Sequence, residues 1–464
     1  MAAVNDPSLL WAQDAWVGGG WRARVLLRIG ADGRWADVQP DVPAPAQASV
    51  LPGPVLPGVV NAHSHAFQRA FAGMAERRSG AMDDFWTWRD RMYDVALRIS
   101  PEQLHAVAAQ LYAELLAGGY THVCEFHYLQ HAPDGSRYAD PLVMGRALAR
   151  AAQDAGIGLT LLPVLYERAG FRQPALRDDQ RRFATSVEDV IALNTGMRAL
   201  DAGSVMAGVA IHSLRAAASE SVAALADWHR HVDGPIHIHI AEQTTEVDEC
   251  VAATGLRPIE WLDRHVALDS RWQLVHATHA TEAEIEAAAR RGAGVVICPT
   301  TEANLGDGLP DLLRWLDQRA MLAIGSDSHV TRNWPAELRL LEYGQRLQLH
   351  RRNVAAAPEI GLDATATRLF DRVLAGGAMA AGFDAWGLVE GARADFGVLD
   401  LAAPGLLGAP PSQLLDALVF AADAPAFREV WVAGQRRVVD GHHLQQASTA
   451  GAFVQAMREL WSQG

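Results

Sequence analysis

Eight short apolar runs, rich in β-branched residues, recur along this chain with helix-patterned stretches between them. That alternation constrains the fold more than any other feature. The runs are VLPGVVNAHSH (55–65), THVCEFHY (121–128), LTLLPVLY (159–166), SVMAGVAIHS (204–213), PIHIHIAE (235–242), WQLVHAT (272–278), GVVICPT (294–300) and MLAIGSDS (321–328). Near-continuous apolar runs of this length read as strands covered on both faces, as in a parallel sheet. In SPEQLHAVAAQLYAELLAGG, Ser100 is an N-cap, Pro101 sits in the first turn, Gln103 completes a capping box and Gly118 marks the end. TEAEIEAAARRG repeats the pattern, with Thr281 as cap and Gly292 as stop. Eight strand–helix units over roughly 320 residues predict an α/β fold, a (β/α)8 TIM-type barrel.

The flanks have a different texture. WVGGGWRARVLLRIGADGRWADV (16–38) precedes a Pro/Ala linker, and WGLVEGARADFGVLDL (386–401) and REVWVAGQRRVVDG (428–441) are again short and turn-rich. The expected organisation is a barrel over 58–385 and a small β-sandwich module shared between 1–57 and 386–464.

Charge and composition narrow the function. The formal net charge of -14 disfavours nucleic acid or an anionic membrane as partner, so any anion must be met by a local basic pocket. No signal peptide or apolar run of transmembrane length stands out. Three widely spaced cysteines, Cys124, Cys250 and Cys298, fit a reducing compartment, and a cytoplasmic enzyme is expected. The chain contains no lysine, which excludes a P-loop lysine, a Schiff-base lysine and a carboxylated lysine bridging two metals.

In such a barrel, chemistry collects at the C-terminal ends of the strands. Strand one ends in His63 and His65, which share a face because side chains alternate along a strand. Alone, that pair could equally be satisfied by water or backbone carbonyls. Strand five adds His237, His239 and then Glu242; strand six ends in His276 and strand eight in Asp327. Several imidazoles and a carboxylate at one end of the barrel suit zinc or another first-row divalent ion. His237 lies deeper in its strand and reads as a core histidine, and His279 as a residue behind the site.

The motifs PGVVNAHSH, HIHIAE, LVHATH and IGSDS, in this order, resemble the amidohydrolase superfamily in its mononuclear deaminase branch. NAHSHAFQRAFAGMAERR, DDFWTWRDRMY, EFHY and IHSLRAA are further similar to the formimidoylglutamate deiminases of histidine degradation. The resemblance implies one divalent ion per chain, Zn²⁺ with Fe²⁺ or Mn²⁺ as alternatives, held by His63, His65, His239 and Asp327. It implies a substrate pocket of Gln68, Arg89, Tyr128, His212 and Arg215, and a homodimer. Two arginines suit a small dicarboxylate, which guanidinium groups bind through charge-assisted forks.

The expected reaction is hydrolysis of N-formimidoyl-L-glutamate to N-formyl-L-glutamate and ammonia. Asp327 would take a proton from water, Glu242 would act as general acid, and His276 would hydrogen-bond the reacting centre. The alternatives are a purine- or triazine-type aminohydrolase of the same branch and a non-catalytic barrel that binds. Trp86 and Trp88 are expected to pack within a lid-like loop at 73–94.

Overall fold

The computed structural model of the chain describes residues 8–77, 85–200 and 205–462, without the side chains of 85–87 and 90. Its centre is a parallel barrel whose strands follow one another in chain order. They are Val59–Ser64, Tyr120–His127, Gly158–Leu165, Val209–Ile211, Ile236–Ile240, Trp272–His276, Gly294–Ile297 and Leu322–Ile324. Every residue of these strands is buried, as expected for strands with helices outside and side chains filling the barrel. The fourth run, continuous in the sequence, is split: Val205–Ala207 pairs with strand three, and Val209–Ile211 pairs with strands three and five.

The barrel closes where the eighth strand meets the first. Ser64 bridges Asp327 in parallel fashion. The Asp327 amide donates to the His63 carbonyl at 3.0 Å, and the His65 amide donates to the Asp327 carbonyl at 3.3 Å. Gly325 is required at this seam, since a Cβ there would lie 2.7 Å from the His63 Cβ and 2.8 Å from the His63 carbonyl oxygen.

The helix signals read from sequence appear as hydrogen bonds. In Pro101–Ala117, Gln103 N donates to Ser100 Oγ and Ser100 N to Gln103 Oε1, at 3.2 and 3.0 Å. Glu282–Arg291 has the same reciprocal cap at Thr281 and stops at Gly292, whose φ of 82° is the left-handed turn that glycine adopts without strain.

A second sheet of nine strands joins both chain ends. Val55–Pro57 pairs with Leu9–Trp16 on one side and Phe396–Leu399 on the other, and the barrel begins at Val59. This sheet has its own buried cluster, including Trp35, Phe396 and Trp431, with the last two rings stacked at 5.2 Å. The segment from 386 onward, which reads as β-like, also contains two helices beside the barrel. Arg339 Nε holds the Val419 carbonyl near the end of Leu414–Phe420 at 2.6 Å, and Trp461 of Gln446–Trp461 donates to the Ala70 carbonyl at 3.2 Å. Among the described residues, no helix is long and apolar enough to cross a membrane.

Candidate active site

A strand can deliver a side chain to the barrel mouth only from its last residues, and the site is built at those positions. The register that sets Ile240 opposite His276 lifts the strand-six imidazole to the level just above His239. His276 has a φ of 68° and Asp327 a φ of 45°, a left-handed backbone that non-glycine residues seldom adopt. Such strain clusters at functional sites, where surrounding structure holds it in place.

His63, His65, His239, His276 and Asp327 converge. His63 Nε2 lies 3.0 Å from His239 Nε2, and Asp327 Oδ1 lies 3.5 Å from His63 Nε2 and 3.4 Å from His65 Nε2. His276 Nε2 is 3.8 Å from Asp327 Oδ2 and 3.7 Å from Glu242 Oε1. Donor atoms of His63, His65 and Asp327, and of His63, His239 and His276, form groups within 4.8 Å.

The donor set suits a divalent cation. His65 Nδ1 meets the Phe126 carbonyl at 2.9 Å, which fixes the proton on Nδ1 and leaves the Nε2 lone pair facing Asp327. Burial holds His63 down to about 3 and His239 well below the ordinary histidine range, so both rings are neutral. Two neutral Nε2 atoms in contact need a proton or a cation between them. Asp327 remains a carboxylate: burial pushes it up, but its hydrogen bond to His63 and the nearby imidazoles hold it well below the usual range.

Glu242 and His276 are biased the other way. Burial raises the Glu242 carboxyl to about 7; His276 and Arg215 oppose that rise, while Asp327 and Glu246 add to it. Burial pulls His276 down, but Glu242, a hydrogen bond that His276 donates to Glu302 and the charge of Asp327 bring it up to about 10. Glu302 is a residue the sequence reading missed. It lies on the short helix after strand seven, Pro299–Leu305, and its Oε1 accepts from Cys298 N at 2.9 Å while meeting His276 Nδ1 at 3.2 Å.

Above this cluster lies a cavity that includes His65, His239, Glu242, His276 and Asp327 in its wall. Gln68, Arg89, Tyr128, His212 and Arg215, the expected substrate residues, line the same cavity. Gln68 Nε2 donates to the Tyr128 hydroxyl at 3.1 Å. Trp88 is in the wall, whereas the Trp86 side chain and residues 78–84 of the expected lid lie outside the described residues.

Tyr93, Tyr166 and Phe183 also line the wall and carried no sequence signal; Gln180 ties the two tyrosines, donating to their hydroxyls at 3.3 and 3.0 Å. His237 is a core residue whose Nε2 meets the Ala380 carbonyl at 2.8 Å. His279 is not in the cavity wall.

Comparison with known proteins adds four findings. The model of the amidohydrolase family matches residues 55–437. The chain is 47% identical over 457 residues to a formimidoylglutamate deiminase of Pseudomonas aeruginosa, covering 98% of this chain and 99% of that protein. Its fold superposes on the crystal structure of an amidohydrolase from Brucella melitensis with a TM-score of 0.92 at 41% identity, covering 97% and 99% of the two chains. An atrazine chlorohydrolase from Arthrobacter aurescens TC1, solved with zinc, shares the fold at a TM-score of 0.81 and 20% identity over 97% of this chain and 99% of its own.

Proposed function

We propose, from the premise that this chain belongs to the amidohydrolase family, that it hydrolyses N-formimidoyl-L-glutamate to N-formyl-L-glutamate and ammonia. The observation that carries this reading is one cavity in which Arg89 and Arg215 share walls with His239, Glu242, His276 and Asp327. A carboxylate receptor and a hydrolytic cluster so joined suit a diacid with an amidine at its far end. The deiminase name of the 47%-identical relative supports the same substrate.

His63, His65, His239 and Asp327 would hold one divalent ion, zinc being the first candidate and iron and manganese the alternatives. When bound, such an ion supplies Lewis acidity, which lowers the pKa of a water it holds toward neutrality. Asp327, an acceptor at neutral pH, takes the proton that water loses as it adds to the formimidoyl carbon. Glu242, raised to about 7, is protonated in about half of the molecules at neutral pH and delivers that proton to the terminal nitrogen that leaves as ammonia. His276, oriented through Nδ1 by Glu302, presents Nε2 to the carbon's developing charge. Arg89 and Arg215, with Gln68 and Tyr128, hold the two carboxylates so that the amidine sits over the cluster.

The test is ammonia release by the zinc-loaded protein from N-formimidoyl-L-glutamate, with guanine, cytosine and S-adenosylhomocysteine as competitors for the assignment. Turnover of the diacid alone is the expected result. Turnover of a ring substrate alone would overturn the reading of Arg89 and Arg215.

A further inference from the structure

Arg215 stands in a tight turn after strand four, where Ala216 N donates to the Ser213 carbonyl at 3.0 Å. A turn of this kind does not by itself fix where a long side chain enters a cavity. The dipeptide Glu167–Arg168, just beyond the end of strand three, grips that turn along its length. The amides of Glu167 and Arg168 both donate to the Ala216 carbonyl, at 2.8 and 3.1 Å. The Arg168 guanidinium then donates through Nη2 to the Leu214 carbonyl at 2.8 Å and through Nε to the Arg215 carbonyl at 3.2 Å.

Glu167 holds the other end of the same segment. Its Oε2 accepts from Ala218 N at 2.9 Å and its Oε1 from Ser221 Oγ at 2.8 Å. Ala218 is the N-cap of helix Ser219–His229 and has no capping side chain of its own, so a neighbouring loop provides the anion that a helix start favours. The Phe171 ring lies 5.4 Å from the Arg168 guanidinium and backs it.

We propose that Arg168, assisted by Glu167, is a positioning residue that fixes Arg215 as a carboxylate receptor and so sets the preference for a diacid. The proposal rests on the diacid reading above. Two donors from one planar group on successive carbonyls leave the peptide little freedom to rotate. A misplacement of about 1 Å at a receptor can cost on the order of a hundredfold in binding or rate. Arg168 also adds positive charge behind the receptor in a chain whose formal charge is -14.

The test is calorimetric titration of N-formyl-L-glutamate and N-formylglycine, a diacid and a monoacid, into the metal-loaded wild type, Arg168→Met and Arg168→Lys. Thermal melting and metal content serve as controls for folding. The expected result is that Arg168→Met weakens the diacid by about tenfold to a hundredfold while the monoacid changes far less. Arg168→Lys, which keeps one charged donor, should recover part of the loss. Equal changes for both ligands, or none, would overturn the proposal, as would a wild type that binds both ligands alike. Ammonia release from N-formimidoyl-L-glutamate by the wild type reports separately on the activity, so an unchanged diacid preference in Arg168→Met, with wild-type turnover as expected, would sink the positioning role alone.

Discussion

Replacing Glu337 by glutamine should make the protein less sensitive to alkaline pH. Glu337 is fully buried in helix Trp334–Leu349, where Oε2 accepts from Thr300 N at 2.9 Å and Oε1 from Thr300 Oγ at 2.7 Å. Thr300 is in the first turn of the helix that carries Glu302, so this contact anchors the element that orients His276. Burial raises the Glu337 carboxyl from 4.5 to about 8, with the Thr300 bonds opposing and Glu302 and Asp327 adding.

In the window from 4.5 to about 8 the native state therefore holds a proton that the unfolded chain has lost. Stability falls as pH rises through that window and levels off above it. At about 1.4 kcal/mol for each pH unit, the ceiling on the loss is about 5 kcal/mol, and relaxation around the ionised carboxylate lowers it. An unfolding entropy of roughly 2 cal/mol/K per residue turns that ceiling into about 5 °C for a chain of this size. The assay is the melting temperature of wild type and Glu337→Gln at pH 5.5, about a unit inside the lower end of the window, and at pH 9, about a unit above its upper end. The advantage of the variant should grow by a few degrees at the higher pH. A constant difference at both pH values would refute the argument. Other raised carboxyls, such as Glu125 at about 8, cancel in that comparison.

Glu242→Gln should retain metal, measured by elemental analysis, and lose turnover by about a hundredfold to ten-thousandfold; near-normal turnover would remove its role as proton donor. His63→Ala should lose metal and activity together, because it takes one nitrogen from each of two convergent donor groups. Arg215→Met should keep metal content and weaken the diacid by on the order of 2–5 kcal/mol, read as a rise in KM. An unchanged KM would put the carboxylate receptor elsewhere.

The barrel strands were legible because each is a run of apolar residues buried on both faces, a pattern that needs no partner to be recognised. The split of the fourth strand was not, since the break is seen only in how its two halves pair with their neighbours. His63, His65, His239, His276 and Asp327 could be picked out because each lies at a strand end, and strand ends converge in a barrel. Glu302 follows strand seven inside a helix, where an acidic residue ordinarily reads as a solvated first-turn carboxylate. Only the packing of that helix beneath His276 gives it another meaning. Tyr93 lies in the helix Phe85–Ala96 and Tyr166 just past the end of strand three, and Gln180 joins them through hydrogen bonds that no spacing in the sequence encodes. The helices within 400–462 were hidden in a segment whose neighbouring β-patterned stretches dominated the reading.

The seam between the first and eighth strands bears on how the protein is made. His63 and His65 emerge early in synthesis, but Asp327, their backbone partner and expected co-ligand, follows more than half the chain later. Until the eighth strand is synthesised and docks, the early histidines have no carboxylate to complete a site, and a nascent chain has no finished place to capture an ion. If Asp327 completes the ion site as proposed, metal uptake is coupled to completion of the barrel, and a truncated product ending before residue 327 would bind metal more weakly than the full chain.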